Sequence, residues 1–178
     1  MSSAIAAAHR IALAMGEQGA RAEGVRLSHT AVGITVAVLR ESVIHVAQVG
    51  MSRLYRKRRD VIELLLLDHS LPSAFLRQYG SESREYLDAL DFHRTAVARM
   101  LGLVPDVDAD YVTEPLEDGD CFLICSGGIW NQPEGDLLVR TLFDAAPEGF
   151  GPVVTAACSG LDVAALRFRA AATPTASV

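Results

Sequence analysis

Apolar and polar positions along the chain change period often enough to divide it into short elements. Residues 3–18 carry Ile5, Ala8, Ala12 and Met15 at helical spacing, with Gly16 or Gly19 near the stop, and predict a helix with one packed face. Residues 30–39 and 43–49 are β-branched runs joined by Arg40-Glu41-Ser42, which reads as a hairpin. A second hairpin follows, with strands at 52–56 and 61–67 around the charged turn Lys57-Arg58-Arg59-Asp60. Residues 70–101 turn helical, with Tyr86, Leu87, Leu90, Val97, Met100 and Leu101 able to line one side before Gly102 and Pro105. Strands at 111–115 and 121–125 flank the turn Glu117-Asp118-Gly119. A helix at 133–146 has the stripe Leu137, Leu138, Leu142 and Phe143, followed by a short helix at 152–158 and a final strand at 161–168.

Hairpins with helices between them predict an α+β layered fold rather than an alternating parallel α/β one. At 178 residues, half of them hydrophobic, the chain can bury one substantial core. We therefore expect one domain over residues 1–170, with the small-residue stretch 171–178 as a flexible tail. The net charge of -6 argues against nucleic acid as a partner. Met1-Ser-Ser lacks the positive start of a signal peptide and no apolar run reaches membrane-spanning length, so a cytoplasmic protein without a membrane partner is expected. Three cysteines fit reduced thiols.

Four segments, in order, carry a resemblance. Gln48-Val-Gly-Met-Ser-Arg-Leu-Tyr55 resembles N-x-GDSR-x-Y, and Leu67-Asp68-His69-Ser70 resembles T-x-DHS. Thr95-Ala-Val-Ala-Arg-Met-Leu-Gly102 is similar to an L-T-R-A-L-G stretch. Leu116-Glu-Asp-Gly-Asp-Cys-Phe-Leu-Ile-Cys-Ser-Gly-Gly-Ile-Trp130 resembles L-x-x-GD followed by a hydrophobic strand and LCSDGLW. Together they resemble the metal-dependent protein phosphatases of type 2C, the PPM family, over roughly residues 5–170. The resemblance implies a β-sandwich of two antiparallel sheets flanked by helices, here lacking the first strands, in an N-terminally truncated and degenerate member.

It also implies two Mg or Mn ions held by carboxylates. A bound metal lowers the pKa of water from about 16 toward about 7 and clamps the phosphoryl oxygens. The family's SDG aspartate falls at Gly127, its GDN pair at Ser159-Gly160, and its GDSR aspartate at Met51, whose thioether cannot replace a hard oxygen ligand. These losses lead to the expectation of a pseudophosphatase without cofactor. Such a chain acts by binding a phosphoprotein, kinase or phosphatase, with homodimerisation through an exposed sheet edge. The alternatives are a minimal serine/threonine phosphatase with a non-standard Mn or Mg site from Glu134, Asp136 or Asp162, perhaps with a second chain, and a structural assembly domain.

Two surfaces follow as candidate sites. Met51, Ser52, Arg53, Ser126, Gly127 and Gly128 form a vestigial or anion-binding site, since glycines allow the close backbone approach an anion nest needs. Arg56, Lys57, Arg58 and Arg59 form the one concentrated basic run, a partner patch or a solvated hairpin tip. Cys125 lacks an arginine six residues on, where Asn131 stands, and reads as a buried strand residue together with Cys121. Asp68-His69-Ser70 reads as a hydrogen-bonded turn rather than a triad, with Asp68 capping the next segment. His9, His45 and His93 have no companion at ligand spacing.

Overall fold

The computed structural model describes residues 2–23, 31–157 and 163–170. Its elements are α1 (Ser2–Glu23), β1 (Ile34–Arg40), β2 (Val43–Val49), β3 (Arg53–Arg58), β4 (Val61–Leu66), α2 (Leu71–Tyr79) and α3 (Arg84–Phe92). After these come β5 (Asp110–Pro115), β6 (Cys121–Cys125), α4 (Gly127–Trp130), α5 (Gly135–Asp144), α6 (Pro147–Ala157) and β7 (Ala165–Arg169). The strands form two sheets, in the orders β1-β2-β5 and β4-β3-β6-β7, with flanking helices, which is the expected α+β arrangement of two antiparallel sheets. The tail at 171–178 lies outside the described residues.

The chain divides into two compact units. One comprises Met1–Ala37, Val46–Ser52 and Leu67–Tyr111. Its apolar cluster joins Ile5 and Ala12 of α1 to Ala47 and Val49 of β2 and to Leu101. α1 runs beyond the predicted stop, through Gly16 and Gly19. Glycine costs a helix about 1 kcal/mol relative to alanine but does not by itself end it. Met15, expected on that face, is exposed. The segment read as continuously helical at 70–101 is two short helices and a loop. Ser70 caps α2 through its hydroxyl, Gly80 leaves it at φ 86°, Ser83 caps α3, and α3 stops at His93. Caps at both ends of each helix override the long apolar period.

The second unit comprises Val38–His45, Arg53–Leu66 and Val112–Val178. The β1–β2 turn falls here, with Glu41 and Ser42 both at positive φ, the paired left-handed geometry that matches the twist of a two-residue hairpin. β3 lies between β4 and β6, in register Arg53↔Cys125 through Lys57↔Cys121 on the β6 side. Lys57 and Arg58, read as turn, continue the strand, and the reversal is made by Arg59 and Asp60. The unit's core contains Leu54, Phe122, Leu123, Ile129, Val139 and Leu142, all buried, and Phe122 stacks on Phe168 at 5.2 Å. The single helix read at 133–146 is α5 alone. Gly135 begins it, packed so closely on the Trp130 carbonyl that a Cβ there would overlap the backbone.

Candidate functional site

In the first unit, the loop that carries Gly50, Met51 and Ser52 is fastened by His69. Gly50 sits at φ 108°, in left-handed space, and a Cβ there would lie 2.7 Å from Gly33 Cα, so only glycine fits. Gly50 N donates to His69 Nδ1 at 3.0 Å, and His69 N donates to the Gly50 carbonyl at 2.9 Å. The ring's Nε2 lies 3.2 Å from Asp110 Oδ2 and 2.6 Å from Arg99 Nη2. Asp110 also receives Arg99 at 2.6 Å and Arg77 at 2.8 Å. Burial, aided by the Arg99 charge, holds the His69 pKa below the usual histidine value. Burial alone would raise the Asp110 carboxyl, but the hydrogen bond and charge of Arg99 outweigh it and leave its pKa lowered. Asp68 is fully buried and accepts from Ser70 N at 2.9 Å and Ser73 Oγ at 3.1 Å, while the hydroxyl of Ser70 caps α2. The expected cap by Asp68 is thus shared: Asp68 holds the turn and Ser70 caps the helix.

In the second unit the register sets Arg53 opposite Cys125, at the strand end from which Ser126, Gly127 and Gly128 lead into α4. Ser126 closes that turn on the segment before β7. Its N donates to the Ala164 carbonyl at 2.9 Å and its Oγ accepts from Ala164 N at 3.0 Å. Arg53 stacks its guanidinium 3.6 Å over the Trp130 ring, a cation–π contact, and donates to Tyr55 Oη at 3.4 Å. Arg53 therefore joins the Ser126–Gly128 turn from the candidate anion site, while Met51 and Ser52 are half-buried residues of the first unit. Ser159, Gly160 and Asp162 lie outside the described residues. Glu134 is at the N-cap of α5 and Asp136 in its first turn, both exposed.

The basic run is spent inside the fold. Arg56, buried at mid-strand, pairs with Glu63 and Glu114. Lys57 pairs with Asp144. Arg58 forks onto Asp120, with Nε and Nη2 each 2.8 Å from a carboxylate oxygen, and reaches Glu117 and the Pro115 carbonyl. The Arg58 hydrogen bonds keep Asp120 ionised well below the usual carboxylate range. Arg59, 86% exposed, has one long pair to Glu117 at 3.7 Å. Burial pushes the Cys125 thiol up to about 12, which leaves it an inert strand residue, and Cys121 beside it is also a buried free thiol. His9 accepts from Gly102 N and reaches the Pro105 carbonyl, and His45 pairs with Thr113.

Sequence reading missed the pocket beside Arg53. Tyr55, Asp136 and Arg140, with Ile62, Leu64 and Val139, line a cavity of about 290 Å³. No local sequence pattern joins Tyr55 of β3 to Asp136 and Arg140 of α5.

Solved structures share the fold. A solved serine/threonine phosphatase from S. agalactiae matches 93% of this chain and 68% of its own at a TM-score of 0.72, with 22% identity. The catalytic domain of the serine/threonine protein phosphatase PstP, solved with two manganese ions, matches 93% of the chain and 69% of its own at 0.66, with 15% identity. In sequence, serine/threonine phosphatase stp of Listeria innocua is 35% identical over 106 residues, 58% of this chain. That match spans 41% of the Listeria protein's length. No protein-family profile matches the chain. The chain has the fold of solved PPM-type serine/threonine phosphatases.

Two expectations are corrected. A non-enzyme does not agree with relatives that are themselves named serine/threonine phosphatases. An absent cofactor does not agree with a structural relative whose catalytic domain carries two manganese ions. Loss of the motif carboxylates at Gly127 and Met51 says nothing about carboxylates supplied from elsewhere. The described residues nevertheless do not fit a binuclear centre: no group of three or more His, Cys, Asp or Glu among them could hold a metal ion. Asp136 lines a cavity together with Arg53 and Arg140 and no second carboxylate. No helix among the described residues is long and apolar enough to cross a membrane.

Proposed function

We propose that this chain is part of a Mn- or Mg-dependent protein serine/threonine phosphatase of the PPM type, acting on phosphoserine or phosphothreonine in proteins. The 106-residue stretch 35% identical to the Listeria innocua phosphatase carries the reading, and the shared fold supports it. Water attacks phosphorus, the serine or threonine oxygen leaves with a proton, and inorganic phosphate is the second product. On this reading the metal-binding carboxylates come from residues outside the described set, Asp162 among them, or from a second chain. What the described residues contribute is support: His69 and Gly50 fix one motif loop, and Arg53, Trp130 and Ser126 fix another.

The test is hydrolysis of p-nitrophenyl phosphate and of a phosphothreonine peptide across Mn and Mg concentrations, beside an intact type 2C phosphatase. Turnover that appears with metal, disappears with chelator and falls in Asp162→Ala is the expected result. Background rates at every metal concentration would overturn the reading. Self-association through a sheet edge is a second, compatible proposal, favoured because β4 and β7 each have one neighbour in their sheet among the described residues. A monomer in sedimentation at tens of micromolar removes it.

A further inference from the structure

We infer that the cavity between β3, β4 and α5 is a binding site for a phosphate oxyanion whose contacts are side chains of this chain and need no metal ion. Arg53 and Arg140 line it from the strand and the helix, and Tyr55 lies between apolar walls of Ile62, Leu64 and Val139. Tyr55 is only 7% exposed, and burial pushes its hydroxyl up to about 12, so it stays protonated and available as a donor. Among the described residues its oxygen receives Arg53, while its own proton has no acceptor. A buried hydroxyl proton without an acceptor is costly, and a ligand oxygen in the cavity supplies one.

Charge and geometry select the ligand. Arg140 has no ion-pair partner among the described residues, and Arg53, stacked flat on Trp130, is held with its N–H edge toward Tyr55. Two arginines and a tyrosine line one cavity from different elements, which suits a tetrahedral anion with oxygens on several sides better than a planar carboxylate that one fork can satisfy. Asp136 is the one carboxylate in the lining and it leaves the pocket with a net positive charge. Its charge reaches Tyr55 and opposes an entering anion.

Trp130 reports occupancy directly, because it is the only tryptophan and lies under Arg53. The experiment titrates the whole chain with inorganic phosphate at constant ionic strength in EDTA, reading tryptophan emission, with acetate and O-phosphoserine in parallel. In EDTA a metal-dependent centre is silent, so the result stands whether or not the chain hydrolyses phosphoesters. Saturable phosphate binding is expected, with acetate weak. Arg140→Ala should weaken it about tenfold, the loss of one charge-assisted contact. Tyr55→Phe should weaken it by a smaller factor, and Asp136→Asn should tighten it. Tighter binding in Asp136→Asn cannot come from misfolding, so that variant keeps the test sharp. O-phosphoserine binding as well as phosphate assigns a phosphorylated residue as ligand, and phosphate alone assigns the free ion. A linear, non-saturating signal, or one unchanged in Arg140→Ala and Asp136→Asn, overturns the site.

Discussion

Two polar clusters, one in each unit, handle burial in opposite ways. Around His69 the ring is kept neutral and fastened to backbone: its Nδ1 takes the Gly50 amide, and the remaining charges of Asp110, Arg77 and Arg99 pair beside it. Along β3, Arg56 and Arg58 stay charged, and carboxylates brought from distant strands and turns meet them. The first cluster fixes a loop conformation, and the second fixes strand order. The difference teaches that neutral hydrogen bonding suits a site where backbone must be held at one dihedral angle. Charge pairing suits a sheet, where any strand bearing the right carboxylate in the right register will serve.

The sharpest way to break the first cluster is at its glycine. Gly50→Ala forces a Cβ into both a left-handed backbone and Gly33, and should destabilise the fold by about 3 kcal/mol in urea unfolding. A cost below 1 kcal/mol would mean the loop is softer than its hydrogen bonds suggest. The second cluster is best broken at Asp120, which is buried and accepts from Arg58 twice and from Glu117 N. Asp120→Ala should cost about 2 kcal/mol, and Arg58→Met in the same background should cost little more, because the partner is already lost.

Acid separates the two clusters without a mutation. The His69 pKa is lowered in the folded state, so the unfolded chain binds its proton first as pH falls. The stability contribution is complete above about pH 6.5, the ordinary histidine value, and declines as pH drops toward the folded pKa. Asp120, lowered from the carboxylate range, keeps its contribution through that window and loses it only below about pH 4. Unfolding midpoints at pH 7.5 and 5.5 should differ in the parent chain and converge in His69→Asn once its baseline loss is subtracted. The smallest effect belongs to the exposed end of the basic run: Arg59→Ala should change stability by no more than about 0.5 kcal/mol by the same melts.

Sequence pattern made the hairpins legible because β-branched runs and short turns are local. The Glu41-Ser42 reversal and the β3–β4 pairing needed no information from elsewhere in the chain. The interior of 70–101 was not legible. Its two helices are punctuated by Ser70, Gly80, Ser83 and His93, and the loop beyond them is held by Ala98 N and Arg99 N on the His69 carbonyl. The charged turn was legible in part: Arg59 and Asp60 make the reversal, but Lys57 and Arg58 continue the strand. The partners of the run were not legible, since Glu114 lies 58 residues beyond Arg56 and Asp120 lies 62 beyond Arg58. The motifs around Gly50 and Ser126 were visible as strings, whereas the pocket of Tyr55 and Arg140 depends on a strand and a helix that no local pattern connects.

Arg167 of β7 places one guanidinium nitrogen on the carbonyls of Leu142, Phe143 and Ala145, the end of α5. During synthesis those carbonyls leave the ribosome more than twenty residues before the arginine that receives them. Those carbonyls have only water as partner while the intervening residues are added, and their capping is timed by arrival of β7. In pulse-labelling of nascent or refolding chains, the α5 C-terminal amides should gain protection together with β7 rather than with the helix that contains them.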